Sequence, residues 1–258
     1  MVLAYKGIEI FYSDTGTGEP VVFLHGFLEN STMWEDLVPS IESQRRVICI
    51  DLLGHGETGN LGYIHTMEMM AEAVLEVLDH LTVKRAIFIG HSMGGYVCLA
   101  LAEKAAYRIQ KLVLMNSTWH EDTAERKINR DRAIDAVKKN QRAFIKITIP
   151  NLFSETGRLH HQKKVAAVTK AALKTSLRGV IAALEGMKSR KNQIKTVRAI
   201  AKETYVIVGK QDGMIDYQQI LSEAENMGVN VLLLDGGHMS HIENRTKVLL
   251  FLAEIVHK

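Results

Sequence analysis

Cysteine is nearly absent from this chain. Its two cysteines, Cys49 and Cys98, cannot build a disulfide framework. Each sits in an apolar stretch, so both are expected to be buried free thiols. No apolar run approaches the ~20 residues of a membrane span. Met1 to Gly7 lack the basic start and long apolar stretch of a secretory signal. These absences predict a cytoplasmic protein without membrane association. Internal repeats and low-complexity linkers are missing too. No cluster of His, Cys, Asp and Glu has metal-ligand spacing, and His160-His161 stands in a basic stretch. A Gly-rich phosphate loop of the dinucleotide type is also lacking, so neither metal nor cofactor is expected.

What is present suits a soluble globular protein. The chain has 258 residues, 47% apolar and 24% charged, enough for one large α/β domain carrying an insertion. Its net charge of +3 conceals an asymmetry. Residues 118–195 hold 18 Lys and Arg against 7 Asp and Glu, a surplus of +11, whereas the remainder holds 14 against 22, or −8. The basic stretch has few aromatics to stack bases, which argues against nucleic acid. It reads either as a solvated helical surface or as a dock for an acidic carrier protein or coenzyme A.

Strand and helix patterns alternate along most of the chain, which predicts a mostly parallel sheet. Ile8 to Asp14 alternates like a strand. Val21–Leu24, Val47–Ile50, Ala86–Ile89 and Leu112–Met115 are continuous apolar runs, as in strands buried on both faces. Ser31–Ser40, Thr66–His80 and Tyr96–Lys104 read as helices, the second with an apolar stripe through Met67, Met70, Val74, Leu78 and Leu81. At Asn116 the alternation stops. Only helical patterns follow, Ala124–Lys139, Val165–Lys174 and Leu177–Met187, with a break at Pro150-Asn151. After Asn192 the alternation resumes with the strand Thr204–Gly209, the helix Tyr217–Asn226, the strand Val231–Leu234 and the helix Thr246–His257. The expected organisation is a core of residues 1–117 and 193–258 with a basic helical insertion at 118–192.

The chemistry concentrates where strands end. Gly90-His91-Ser92-Met93-Gly94 is a Gly-x-Ser-x-Gly turn between a strand and a helix, which holds a serine hydroxyl out at the sheet edge. Gly90 and Gly94 leave room for the neighbouring backbone. A serine needs a base, a group that orients the base, and donors for an oxyanion. His238, in Gly236-Gly237-His238, is the expected base, with His241 the competitor. Asp212 is the expected acid, with Asp216 and Asp235 as alternatives. The order Ser92, Asp212, His238 is that of a nucleophile-elbow enzyme. The oxyanion donors should be the backbone N–H groups of Met93 and of Phe27, in His25-Gly26-Phe27. His91 is expected to pack beside the elbow and His55 to brace its loop. Candidate pocket residues are His25, Gly26, Trp34, Trp119, Phe144 and Phe153, with Leu152 beside them. For Trp119, Phe144, Leu152 and Phe153, packing within the insertion competes with that role.

The chain resembles the α/β-hydrolase family over essentially its whole length. The likeness rests on His25-Gly26-Phe27, Asp51-Leu52-Leu53-Gly54-His55-Gly56, Gly90-His91-Ser92-Met93-Gly94-Gly95, and Gly237-His238-Met239 with Glu243 after it. The resemblance implies an α/β fold with an eight-stranded, mostly parallel sheet, its second strand antiparallel, and helices on both faces. It also implies a helical lid after the sixth strand, a triad on Ser92, Asp212 and His238, and an oxyanion hole on Phe27 and Met93. Trp34 is similar to an aromatic found behind the oxyanion loop. Ser92 excludes the branches with an aspartate nucleophile, the haloalkane dehalogenases and epoxide hydrolases. Met214-Ile215-Asp216 stands where the family often has Ile-Pro, which keeps Asp216 in play as the acid. The expected activity is hydrolysis of carboxylic esters through an acyl-enzyme. The alternatives are thioesters on a carrier or coenzyme A, carbon–carbon hydrolysis or lyase chemistry, and a non-catalytic ligand sensor.

Overall fold

In the computed structural model, which describes residues 1–257, the continuous apolar runs become the centre of one sheet. Its eight strands are β1 (Val2–Tyr5), β2 (Ile8–Thr15), β3 (Pro20–Leu24), β4 (Arg46–Ile50), β5 (Ala86–His91), β6 (Ile109–Met115), β7 (Thr204–Gly209) and β8 (Asn230–Leu234). They lie in the order β1-β2-β4-β3-β5-β6-β7-β8. β2 runs antiparallel to both neighbours, and every pair from β4 through β8 is parallel. The register sets Leu24 beside Gly90 and Ile50, so the turns after β3, β4 and β5 share one sheet edge.

The two-residue period of a strand divides the core into two layers. Val22, Leu24, Ile48, Phe88 and Leu114 face α2 (Met67–His80) and α3 (Met93–Ala105). Val21, Phe23, Cys49, Ile89 and Val113 face Trp34, α1 (Val38–Glu42) and α11 (Arg245–His257). Burial raises both thiol pKa values, to about 12 for Cys49. Each cysteine is free and buried.

Several boundaries differ from the sequence reading. The helix expected over Ser31–Ser40 is a 3₁₀ turn, Ser31–Trp34, followed by α1. Pro39 lacks an N–H for a continuous helix and sits instead in the first turn of α1. α3 begins three residues before Tyr96, directly after Ser92. β1 was not anticipated, because only Tyr5 of its four residues is buried and the apolar signal is weak.

Between β6 and β7 the chain is wholly helical: α4 (Ala124–Thr148), α5 (Glu155–His160), α6 (Gln162–Ala172), α7 (Leu177–Lys188) and α8 (Ile194–Ala199). α4 runs beyond the expected Lys139 but breaks at Asn140 (φ −159°, ψ 87°), whose side chain accepts from Ala143 N–H at 3.0 Å and restarts the helix. The short α5 and α8 had no period long enough to read. The segment is tied at its neck. Gln193 N–H donates to Trp119 O at 2.7 Å, and buried Asp122 pairs with Arg130 at 2.9 Å and Arg190 at 2.7 Å. Burial would raise the Asp122 pKa, but the two guanidinium groups hold it low. α9 (Tyr217–Met227) and α10 (Ser240–Glu243) complete the chain's helices. Among the described residues no helix is long and apolar enough to cross a membrane, and no group of three His, Cys, Asp or Glu could hold a metal.

Candidate active site

Ser92 stands between β5 and α3 with φ +50° and ψ −114°, a strained conformation for a residue with a side chain. The turn closes only because its glycines are bare. A Cβ at Gly94 would lie 2.2 Å from Leu24 O, and one at Gly90 would lie 2.6 Å from the Gly94 carbonyl. Ser92 N–H donates to Met115 O at 2.9 Å, and Ser117 Oγ donates to Ser92 O at 2.8 Å, which fixes the strained peptide from both sides.

The loops after β7 and β8 bring two more groups to the serine. His238 Nε2 lies 2.9 Å from Ser92 Oγ, and His238 Nδ1 lies 2.8 Å from Asp212 Oδ2. Asp212 is nearly enclosed. Its Oδ2 also accepts from Asn116 Nδ2 at 3.0 Å, and its Oδ1 accepts from the N–H groups of Met214 (2.8 Å) and Ile215 (3.2 Å). Burial alone would raise its pKa. The charge and hydrogen bond of His238, with Asn116 and Met214 N–H, keep it below the ordinary value.

The competing acids are occupied elsewhere. Asp216 caps α9, accepting from Gln218 and Gln219 N–H at 3.0 and 3.2 Å, and exposed Asp235 pairs with Lys210 at 2.9 Å. His241 is buried in α10 with its ring 6.0 Å from that of Trp34, and burial pushes its pKa down to about 3. His55 Nδ1 meets Leu53 O at 3.1 Å within its own loop, with its pKa pushed by burial to about 3.

Phe27 N–H lies in the turn after β3, and Met93 N–H is the first of α3. Among the described residues neither donates to a protein acceptor. Ser92, His238 and Phe27 border a cavity of about 580 Å³. Tyr96, Ala133, Phe144, Ile147, Leu152, Leu184 and Met187 make its apolar wall. Thr123, Glu125, Arg126, Asn129 and Arg130 make a polar patch at the start of α4. Arg126 reaches across to the backbone carbonyl of Met214.

Of the candidate pocket residues, only Phe144 lines this cavity, with Leu152 beside it. His25 is wholly buried. Its Nδ1 meets Gly26 O at 2.8 Å and its Nε2 accepts from Leu52 N–H at 2.9 Å, so it braces the turn rather than lining a pocket. Gly26 backs onto Glu29 and His91. Trp34 packs against Phe23, ring centroids 4.9 Å apart, in the opposite core layer. Trp119 donates from Nε1 to Glu223 at 2.6 Å and fastens the start of the helical segment between β6 and β7 to α9. Phe153 is buried and outside the lining. Aromatic area is stabilising wherever it is buried, so ring count was a poor guide to the pocket.

Two residues near the site, Asn116 and Glu29, escaped the sequence reading. Asn116, at φ +46°, was legible only as the place where the alternation ends. Glu29 carried no local signal beyond a charge near an apolar segment, whereas Glu243 was legible as the acidic residue after Gly237-His238-Met239 without its contacts.

A family model described as the alpha/beta hydrolase fold matches residues 19–245. A thermophilic esterase from Thermogutta terrifontis superposes with a TM-score of 0.90 at 31% identity, covering 100% of this chain and 97% of that one. A 2-hydroxymuconate semialdehyde hydrolase from Pseudomonas sp. (strain CF600) is 26% identical over 257 residues, 93% of this chain and 88% of that protein. A putative non-heme haloperoxidase from Mycobacterium phage D29 is 39% identical over 118 residues, 45% of this chain and 42% of that protein, so the match spans less than half of that relative's length.

Proposed function

Because the chain belongs to the α/β-hydrolase family, we propose that it is a serine hydrolase that cleaves carboxylic esters, with Ser92 as nucleophile, His238 as base and Asp212 as the acid that orients it. The observation that carries this reading is the chain of contacts at 2.9 and 2.8 Å from Ser92 through His238 to Asp212, set in the wall of the 580 Å³ cavity. A volume of this order suits a small organic ester.

The chemistry follows from the contacts. Ser92 Oγ attacks the ester carbonyl while its proton passes to His238 Nε2. The carbonyl oxygen becomes an oxyanion on the unpartnered N–H groups of Phe27 and Met93. As the tetrahedral carbon collapses, the C–O bond to the alcohol breaks and His238 returns the proton to the leaving oxygen. Water then gives a proton to His238 and its hydroxide adds to the acyl-enzyme. Collapse frees the carboxylic acid, and Ser92 recovers its proton. Asp212 fixes the imidazole tautomer and steadies the imidazolium throughout. The helical insertion acts as a lid that covers this cavity and supplies most of its apolar wall and the polar patch at the start of α4.

A second reading, hydrolysis of a carbon–carbon bond by the same residues, is supported by the likeness to the Pseudomonas semialdehyde hydrolase along 93% of this chain. The surplus of +11 in residues 118–195 supports a narrower form of the first, in which the acyl group arrives on an acidic carrier protein or coenzyme A.

The test is hydrolysis of p-nitrophenyl esters from acetate to dodecanoate. Turnover that falls by about 10⁶ in Ser92→Ala and about 10⁴ in Asp212→Asn supports the reading. Turnover that survives in Ser92→Ala ends it. Absence of ester turnover from folded wild-type protein moves the assignment to the carbon–carbon reading.

A further inference from the structure

Six histidines are buried among the described residues, and one of them has a distinctive pair of partners. His91 Nδ1 lies 2.8 Å from Glu29 Oε2, and His91 Nε2 lies 2.9 Å from the backbone oxygen of His238. Both partners are acceptors. A neutral imidazole carries one N–H and satisfies only one of them, so both contacts require the doubly protonated ring. The neighbours differ. His25 and His65 each accept a backbone N–H at Nε2, which fixes them as neutral. Glu29 Oε2 accepts a second bond, from Gly26 N–H at 2.8 Å.

Three loops therefore meet on one ion pair. Gly26 immediately precedes Phe27, a proposed oxyanion donor. His91 immediately precedes Ser92. The His238 carbonyl belongs to the proposed base. The fit is tight, since a Cβ at Gly26 would lie 2.4 Å from Glu29 Oε2 and 2.7 Å from His91 Nδ1. Two charges buried in a core add little net stability over a well-packed apolar pair. Net stability is therefore a weak reason for this pair, whereas the meeting of the three loops supplies a strong one.

We propose that Glu29 and His91 are positioning residues: a standing carboxylate–imidazolium clamp that holds the oxyanion turn, the serine turn and the His238 loop in register for the transition state. This rests on the serine-hydrolase reading above. The charged groups around His91 favour the clamp. Burial lowers the pKa of His91, but the charge and hydrogen bond of Glu29, with the His238 carbonyl and Asp212, outweigh it and the net direction is up. Glu29 is held at about 2, burial being overcome chiefly by His91. His25 and His241 also face this group; burial lowers the pKa of both, to about 3 for His241, and His25 accepts Leu52 N–H, so neither competes for the proton. The ring of His238 lies 5.1 Å from that of His91. As pH rises through the titration of His91, the bond to the His238 carbonyl is lost and the clamp opens.

The deciding experiment is ¹⁵N NMR of the histidine rings in the whole protein, with kcat and KM measured across the same pH range. The expected result is a His91 ring protonated on both nitrogens at pH 7, losing a proton only above the usual value of about 6.5. A fall in kcat should accompany that loss. Glu29→Gln should leave His91 singly protonated at pH 7 and lower kcat by about 10- to 100-fold with KM little changed. A singly protonated His91 in the wild type at pH 7, or wild-type kcat in Glu29→Gln, overturns the proposal. If Glu29→Gln does not fold, the wild type decides, because kcat that stays level while His91 deprotonates also overturns it. Turnover surviving in Ser92→Ala would sink the serine-hydrolase reading and the positioning role with it, and is told apart from failure of the clamp itself because the proton count on His91 does not depend on Ser92.

Discussion

Asn116 Nδ2 donates to Asp212 Oδ2 at 3.0 Å and to Gly237 O at 3.1 Å, so a single side chain after β6 joins the Asp212 loop to the His238 loop. Removing it leaves a buried carboxylate short of one donor and a buried carbonyl short of another. Asn116→Leu should lower kcat by about tenfold or more. Asp212 should also move up toward its ordinary range, so that activity is lost at a higher pH on acidification. A pH–rate profile unchanged in shape and height would contradict this role.

Glu243 performs a similar task between the insertion and the core. Its Oε1 accepts from Gly237 N–H at 3.1 Å, and its carboxylate accepts from the Ser154 N–H and hydroxyl. Beside it, His238 N–H donates to Leu152 O at 2.8 Å. Glu243→Ala should loosen residues 150–157 from the His238 loop. Limited proteolysis should cut that segment faster, and kcat should fall by about tenfold.

Ala133 lines the apolar wall of the cavity on α4. Ala133→Phe should shorten the acyl chain that fits. In a p-nitrophenyl ester series, kcat/KM for the longer chains should drop by about tenfold or more relative to acetate. An unchanged chain-length profile would place the acyl group elsewhere.

The Glu29–His91 pair also sets a pH window for stability. Glu29 is depressed from 4.5 to about 2, so its contribution is complete above about pH 4.5 and is lost as pH falls through about 2. His91 is raised above 6.5, so its contribution is complete below about pH 6.5 and is lost as pH rises through its higher folded value. The gap in Tm between wild type and Glu29→Gln should therefore be widest between about pH 4.5 and 6.5 and narrow on either side. A gap independent of pH would show that the charges contribute nothing.

The basic insertion supplies a salt test. If an anionic carrier docks there, kcat/KM for a carrier-bound acyl group should fall steeply with ionic strength, while that for a neutral p-nitrophenyl ester stays level. Equal salt responses would mark the charge as surface solvation.

Legibility followed signal strength. The buried parallel strands were readable because a strand covered on both faces is apolar at consecutive positions, as in Val21–Leu24 and Ala86–Ile89. The serine turn was readable because glycines are demanded by backbone approach, as at Gly94 against Leu24 O. β1, α5 and α8 were obscure because they are too short to express a period. The helix expected over Ser31–Ser40 is interrupted because Pro39 lacks an N–H and takes the first turn of a new helix.

The sequence alone determined the buried parallel strands, the longer helices and the residues at strand ends, because periodicity and turn chemistry are local. It left Asp216 and Asp235 as alternatives to Asp212, and it named His25, Trp34 and Phe144 together as pocket candidates although packing competed with that role for Phe144. The tertiary structure separated them through contacts between residues far apart in the chain. Asp216 caps a helix and Asp235 meets Lys210, while Asp212 alone of the three reaches His238. Glu29 and His91, 62 positions apart, form an ion pair only because parallel β3 and β5 end side by side. No local pattern encodes such a meeting, since it depends on where the whole sheet delivers each loop.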